Sequence, residues 1–156
     1  MRLALFQPDI PQNTGTLLRL GACLGIELDI IEPCGFVFSE ANLKRAGMDY
    51  LHLVKYRKHD SWNEFLDYRK NHSDEYGRLV LLTTKTDKSY IDFEFKKNDI
   101  LMLGRESAGV PQEVHNIVDA KVTIPMTPNS RSINVAVSGT MVLGEAMRQT
   151  GSFISK

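Results

Sequence analysis

Two loops in the last third of the chain carry more polar side chains than a simple turn needs. The first, residues 104–111, follows the apolar run Ile100–Leu103, and the second, residues 125–134, follows the apolar residues 122–124. Their polar residues are Arg105, Glu106, Arg131, Ser132 and Asn134. In an open α/β sheet, ligands bind outside the carboxyl ends of the strands. Two loops of this kind indicate a ligand site, and an enzyme is the leading interpretation.

Familiar nucleotide, hydrolase and metal signatures are missing from the sequence. No G-x-G-x-x-G follows the first apolar run, and neither a P-loop nor a G-x-S-x-G elbow occurs. The four histidines fall at no metal-ligand spacing, so no metal is expected. Cys23 and Cys34 also lack such spacing and are interpreted as reduced thiols of a cytoplasmic protein. Conventional Rossmann oxidoreductases, P-loop enzymes and zinc hydrolases are therefore disfavoured.

Composition predicts one globular domain over residues 1–156. The chain is 42% hydrophobic and 24% charged, with no apolar run long enough for a membrane span and no signal-peptide pattern at its start. Its 19 basic and 19 acidic residues give a formal net charge of zero, whereas nucleic-acid-binding domains often have a basic excess. A nucleic-acid partner would thus need a local basic patch or a patch assembled by a dimer. Candidate clusters, each of which is otherwise simply a solvated face, are Lys44-Arg45, residues 55–59, Arg69-Lys70, and Lys85 with Lys88.

The elements that position these loops alternate between strands and helices. Strands are predicted at residues 2–6, 27–31, 51–56, 78–83, 100–103 and 121–124. Helices are predicted at residues 14–24, 39–46, 61–70, 111–118 and 133–149. Asn13 is the expected N-cap of the first helix, Ser61 opens a capping box, and Gly25 and Gly151 end helices. This order indicates an α/β fold with a mostly parallel sheet flanked by helices.

The last predicted helix is apolar on almost every side. It contains Gly144 in its interior, where glycine costs about 1 kcal/mol relative to alanine. A helix with so little polar surface is buried on more than one side. One interpretation is an ordinary core helix, and the other is a helix that serves the core and a dimer interface together.

Three ordered segments carry a specific family resemblance. They are residues 8–15 with Arg19, residues 101–111, and residues 124–126 with 131–134; residues 30–33, 44–50 and 82–85 support them. Over nearly its whole length, the chain resembles the SPOUT superfamily of RNA methyltransferases. Within it, the match is to the small tRNA (cytidine/uridine-2'-O-)-methyltransferases of the TrmL/YibK type. The resemblance implies a C-terminal deep trefoil knot, S-adenosylmethionine as the methyl donor with S-adenosylhomocysteine as product, and a homodimer packed through the first and last helices.

The resemblance also implies site residues, each of which has an ordinary structural alternative. The cofactor-binding positions are Leu82, Gly104, Ile124 and Ser132; by pattern alone, Leu82 and Ile124 are core residues and Gly104 is a turn glycine. The catalytic positions are Arg19, Asn13, Glu106 and Asn134. Arginine is effectively never deprotonated in proteins, so Arg19 is expected to hold a phosphate and to stabilise developing oxyanion charge rather than to act as a base. By pattern alone, Arg19 is an arginine on a helix surface, Asn13 is the N-cap of the first helix, and Glu106 is a solvated loop charge.

The resemblance implies 2'-O-methylation of the wobble cytidine or uridine of tRNA, with a leucine tRNA as the expected substrate. The partners are tRNA and a second copy of the chain, and neither DNA nor a membrane is expected. Rival hypotheses are a related methyltransferase acting on another tRNA site or on rRNA, and a non-catalytic RNA- or cofactor-binding dimer. Two residues depart from the family pattern. Ala136 stands where the family often has serine, and Gly144, just before Glu145, stands where it often has tyrosine. The second departure bears on the dimer interface or the RNA surface.

Overall fold

The computed structural model describes residues 1–45 and 51–154, which form a six-stranded sheet with helices on both faces. The strands are β1 (Arg2–Phe6), β2 (Glu27–Ile31), β3 (Tyr56–His59), β4 (Leu79–Leu82), β5 (Ile100–Leu103) and β6 (Ala120–Val122). Every pair of neighbours is parallel, and the order across the sheet is β3-β2-β1-β5-β4-β6. The predicted α/β class with a parallel sheet is confirmed.

Within residues 1–45 and 51–154, five α-helices connect or cover the strands. They are α1 (Pro11–Leu24), α2 (Glu40–Arg45), α3 (Trp62–Asn71), α4 (Gln112–Ile117) and α5 (Val135–Thr150). The predicted stops are confirmed, because Gly25 and Gly151 adopt left-handed conformations with φ of 68° and 61°. The Ser61 hydroxyl accepts the Glu64 N–H as the capping box requires. No helix among the described residues is long and apolar enough to cross a membrane.

Alternation along the buried strands fills two hydrophobic layers. In β1, Leu3 and Leu5 belong to the layer under α1 and α5, whereas Ala4 and Phe6 belong to the layer under α3 and α4. Each of these four residues is at most 3% exposed. Because both faces are covered, the strand sequences are continuous apolar runs, which is why they could be recognised without alternation.

Three local predictions are wrong or lie outside the described residues. The strand predicted at 51–56 is a 3₁₀ turn, Leu51–Leu53, followed by strand β3 at Tyr56–His59, so the polar edge strand was placed too early. Helix α1 begins at Pro11 and not at 14, because proline favours the first helical position, so Asn13 is not the N-cap. Residues 46–50 lie outside the described residues. They include the end of the second predicted helix, at residue 46, and most of the family segment 44–50.

Strand order determines which loops meet. All six strands are parallel, so the segments after β1, β4, β5 and β6 begin at one edge of the sheet, and the insertion of β5 between β1 and β4 makes the segments after these strands neighbours. The trefoil knot implied by the resemblance depends on how these segments thread through one another, and it stays a prediction. What the topology establishes is that the three family segments converge at the carboxyl ends of the strands.

Candidate active site

A cavity of about 410 Å³ opens at the carboxyl ends of β4, β5 and β6. Predicted site residues that line it are Asn13, Leu82, Gly104, Glu106, Ile124, Ser132 and Asn134. The structure thus brings together seven positions that are spread over more than a hundred residues of sequence. Leu82 and Ile124 line the cavity while also packing in the hydrophobic core, so their two interpretations are compatible.

Arg19 is the predicted residue that is not brought to the cavity. It lies on the exposed face of α1, six residues after Asn13. At about 100° per helical residue, this spacing points the two side chains in directions about 120° apart. Asn13 is 9% exposed and faces the cavity, so within one chain Arg19 faces elsewhere.

A chain of polar side chains joins the three family segments. The Asn134 Nδ2 donates to Asn13 Oδ1 at 3.0 Å, and the Asn13 Nδ2 donates to Glu106 Oε1 at 3.3 Å. The second carboxylate oxygen of Glu106 accepts the backbone N–H of Asp9 at 2.9 Å, and the N–H of Glu106 donates to Asp9 Oδ1 at 3.1 Å. Because each amide uses its oxygen on one side and its nitrogen on the other, the direction of this chain is fixed.

Asn134 holds the last helix and the polar chain at the same time. Its Oδ1 accepts the N–H groups of Ala136 and Val137 at 2.9 and 3.2 Å, which satisfies two free donors at the start of α5. With its oxygen committed to the helix, its amide nitrogen is the group that faces Asn13. Asn134 thus caps α5 through its oxygen and donates to Asn13 through its nitrogen.

Glu106 is a half-buried carboxyl group beside a second one. Burial and the adjacent Asp9 carboxylate raise the pKa of Glu106, while the N–H groups of Asp9 and Asn13 act in the opposite direction. The hydrogen bond with Glu106 and the Ser107 hydroxyl lower the pKa of Asp9. As the pH falls, Glu106 therefore takes up a proton before Asp9 does. The interpretation of Glu106 as a solvated loop charge is wrong, since its oxygens have fixed partners.

Gly104 begins a compact turn whose two ends bond to each other. The N–H of Arg105 donates to the Gly109 carbonyl at 3.0 Å, and the N–H of Gly109 donates to the Arg105 carbonyl at 2.9 Å. A Cβ on Gly104 would lie 2.9 Å from the carbonyl carbon of Gly109, and Gly109 itself has φ of 64°. The requirement for glycine at 104 thus comes from the loop's own backbone, although the residue also lines the cavity.

One cavity group, His115, was missed by the sequence reasoning, and Lys85 was named only as part of a supporting segment. His115 of α4 is 5% exposed and lines the cavity together with Lys85. Burial and the nearby charges of Lys85 and Lys121 lower the pKa of His115, so its imidazole is neutral at pH 7. Only metal spacing was tested for the histidines, and a lone His on a short helix gives no other sequence signal. Among the described residues, no three His, Cys, Asp or Glu side chains gather as metal ligands.

Comparison with known proteins gives a consistent result. A curated relative from Beijerinckia indica, named tRNA (cytidine(34)-2'-O)-methyltransferase, is 56% identical over 96% of this chain and 92% of its own length. A solved structure described as giving insight into 2-OH methylation of C/U34 on tRNA matches with a TM-score of 0.86 and 38% identity, covering 95% of this chain and 94% of that one. The SpoU methyltransferase AviRb from Streptomyces viridochromogenes, in complex with AdoMet, matches at 0.83 and 26% identity over 96% of this chain and 60% of that one.

The family assignment rests on most of the chain and not on one motif. The model of the SpoU rRNA Methylase family matches residues 1–144, a range that contains all three segments joined by the polar chain. Sequence, fold and the convergence of Asn13, Glu106 and Asn134 lead to the same conclusion: the chain belongs to the SpoU methylase family of RNA methyltransferases.

Proposed function

We propose that the protein transfers a methyl group from S-adenosylmethionine to the ribose 2'-hydroxyl of the wobble cytidine or uridine of tRNA. The observation that carries this proposal is the hydrogen-bonded chain Asn134–Asn13–Glu106, which joins three distant segments beside a ligand-sized cavity. Relatives at 56% and 51% identity are named tRNA (cytidine(34)-2'-O)-methyltransferase. A leucine tRNA remains the expected substrate on the resemblance alone.

The cavity has the chemistry that S-adenosylmethionine requires. Its volume lies in the range of small-molecule sites, about 300–1,000 Å³. Aliphatic walls come from Leu82, Leu103 and Ile124, and the strand ends and loops supply backbone polar groups for the adenine and the ribose. Gly104 and Ser132 complete the predicted binding set. When bound, the donor supplies a methyl group on a positively charged sulfur, which is the leaving group as the new carbon–oxygen bond forms.

The residues of this chain align the acceptor and handle its charge. In our proposal, Asn13 orients the ribose and Glu106 positions Asn13, while the proton that the 2'-hydroxyl loses passes to water. Asn134 fixes the direction of the hydrogen-bond chain from the other side. Such pre-organised groups act by holding the reactants in the attacking geometry.

The proposed role of Arg19 requires a second copy of the chain. Arg19 is exposed on α1, and α5 exposes Val137 at 52% and Met141 at 41%. A Cβ at Gly144 would meet nothing within 4 Å, so this chain alone gives no packing reason for a glycine there. We propose a homodimer through α1 and α5, in which Arg19 reaches the partner copy's site, binds a phosphate and stabilises the oxyanion.

Nucleoside mass spectrometry tests the proposed reaction directly. Purified protein, S-adenosylmethionine and tRNA lacking the modification are expected to yield one 2'-O-methylated pyrimidine at position 34. Arg19→Ala is expected to abolish transfer and to leave S-adenosylmethionine binding intact. Lys70→Ala, which removes an exposed cation from α3, serves as the matched control. Methylation at another site, or at none with any tRNA, would contradict the proposed substrate, and loss of cofactor binding in Arg19→Ala would contradict the role of Arg19.

A further inference from the structure

The loop of residues 33–38, which follows β2, contacts the segment that leads from β1 into the candidate active site. The N–H of Gly35 donates to the Pro8 carbonyl at 2.9 Å. A Cβ at Gly35 would lie 2.5 Å from the Cβ of Asp9, so the two backbones are in close contact. Asp9 is hydrogen-bonded to Glu106, which lines the cavity. Asp9 therefore joins the loop to the polar side chains of the site.

This loop presents aromatic and apolar side chains at the surface. Phe36 and Phe38 stack with ring centroids 6.4 Å apart and planes at 28°, and Phe38 contacts Tyr56 of β3 at 5.5 Å. Both phenylalanines are half-buried, and Val37 between them is 73% exposed. The Asn42 amide donates to the Val37 carbonyl at 2.8 Å and fixes the loop backbone. A rigid, exposed apolar tip next to an active site indicates a binding surface.

One cation contacts the aromatic stack, and two more follow it closely in the sequence. The Lys58 Nζ lies 5.2 Å from the Phe38 ring centroid and 3.1 Å from Glu32 Oε1. Lys44 and Arg45 are exposed in the last turn of α2, the helix that begins two residues after the loop. Residues 32–59 contain five Lys or Arg and three Asp or Glu, among them the Glu32 that pairs with Lys58, although the whole chain is neutral. The local excess of positive charge complements a polyanion.

We propose that residues 36–38 and Lys58 bind the unpaired nucleotides next to the methylated ribose. A base stacks on Phe36, and Lys58 with the α2 cations contacts the adjoining phosphates. Single-stranded RNA is recognised by stacking of unpaired bases on aromatic rings beside cations, and an anticodon loop supplies such bases. This inference rests on the proposed tRNA methyltransferase function.

Substitutions at Phe36 test the stacking. Phe36→Ala is expected to raise the KM for tRNA about 5-fold or more, since loss of one base–aromatic stack typically has this effect. Phe36→Trp is expected to retain wild-type KM, while Phe36→Leu, which keeps an apolar side chain on Phe38, is expected to behave like alanine. The affinity for S-adenosylmethionine, measured by calorimetry, is expected to stay unchanged in all three. Ile117→Ala, which truncates an exposed apolar residue on α4, is the matched control.

Substitution of Lys58 tests the phosphate contact. Lys58→Gln is expected to weaken tRNA binding and to reduce the slope of log affinity against log salt, while Lys58→Arg and the distant Lys70→Gln retain the wild-type slope. Wild-type KM and salt slope in both Phe36→Leu and Lys58→Gln would overturn the inference. So would a change in dimer assembly by these variants, because the loop would then contact protein and not RNA. A wild-type enzyme that methylates no tRNA would refute the proposed function itself, whatever the variants do.

Discussion

Asn134 is predicted to have two separable functions, a helix cap and a directed hydrogen bond. Asn134→Ala removes the acceptor for two N–H groups of α5, which costs about 1 kcal/mol, and it deprives the buried Asn13 oxygen of its donor, which costs about 1 kcal/mol more. We therefore expect the free energy of unfolding to fall by about 2 kcal/mol, measured by urea denaturation at fixed protein concentration. Ser61→Ala, which removes an N-cap far from the cavity, is expected to cost about 1 kcal/mol and to leave methyl transfer unchanged.

Asn134→Asp separates the two functions. A carboxylate keeps the cap and suits the positive end of the helix dipole, so stability is expected to remain within about 1 kcal/mol of wild type. The new carboxylate cannot donate to Asn13 Oδ1, however, and the side-chain amide of Asn13 cannot flip because its Nδ2 is already bonded to Glu106. We expect methyl transfer to fall about 100-fold, the loss typical of a misplaced catalytic group. Wild-type transfer rates in Asn134→Asp would refute the claim that the direction of this hydrogen-bond chain matters.

Three other predictions follow from the geometry. Gly104→Ala places a Cβ 2.9 Å from the Gly109 backbone, so calorimetry is expected to show at least tenfold weaker S-adenosylmethionine binding; unchanged affinity would mean that the turn adapts. Gly144→Ala gains about 1 kcal/mol of helix propensity with no clash inside the chain. A weaker dimer in sedimentation experiments would therefore locate the dimer interface at α5, whereas a more stable chain with unaltered assembly would exclude an interface there. Burial alone would raise the pKa of Asp29, but hydrogen bonds from His59 and the charge of Arg2 hold that pKa below its usual value. The stability that the Asp29 carboxylate contributes is therefore present at neutral pH and is lost as the pH falls below about 5. Urea titrations that show no acid destabilisation would contradict this.

The layout of the sheet was largely predictable from the sequence. β1, β2 and β5 have the predicted bounds, because a strand buried on both faces must be a continuous apolar run. The edge strand β3 was misplaced for the opposite reason: its sequence YRKH is polar and half-exposed, and its pairing with β2 is what makes it a strand. Local pattern fails where pairing with a neighbour decides the conformation.

The site residues could be named from ordered motifs, but their interactions could not. Asn13 looked like a helix cap, since asparagine before an apolar helix usually is one, and Pro11 took the helix start instead. The side chain of Asn13 does not cap the helix and instead forms the middle of the polar chain between Asn134 and Glu106. Asp9 was in the motif without a role, and its contacts with Glu106 span 97 residues of sequence.

The sequence by itself determined the strand cores, the helix stops and the identity of the polar loops, because these depend on periodicity, turn chemistry and short motifs. Only the tertiary structure decided which groups meet, because the insertion of β5 between β1 and β4 makes loops that are distant in the sequence neighbours at one edge of the sheet. It also separated Arg19 from Asn13, since six residues of helix turn them to different faces. Contacts between residues a hundred positions apart are set by strand order, and no local pattern encodes strand order.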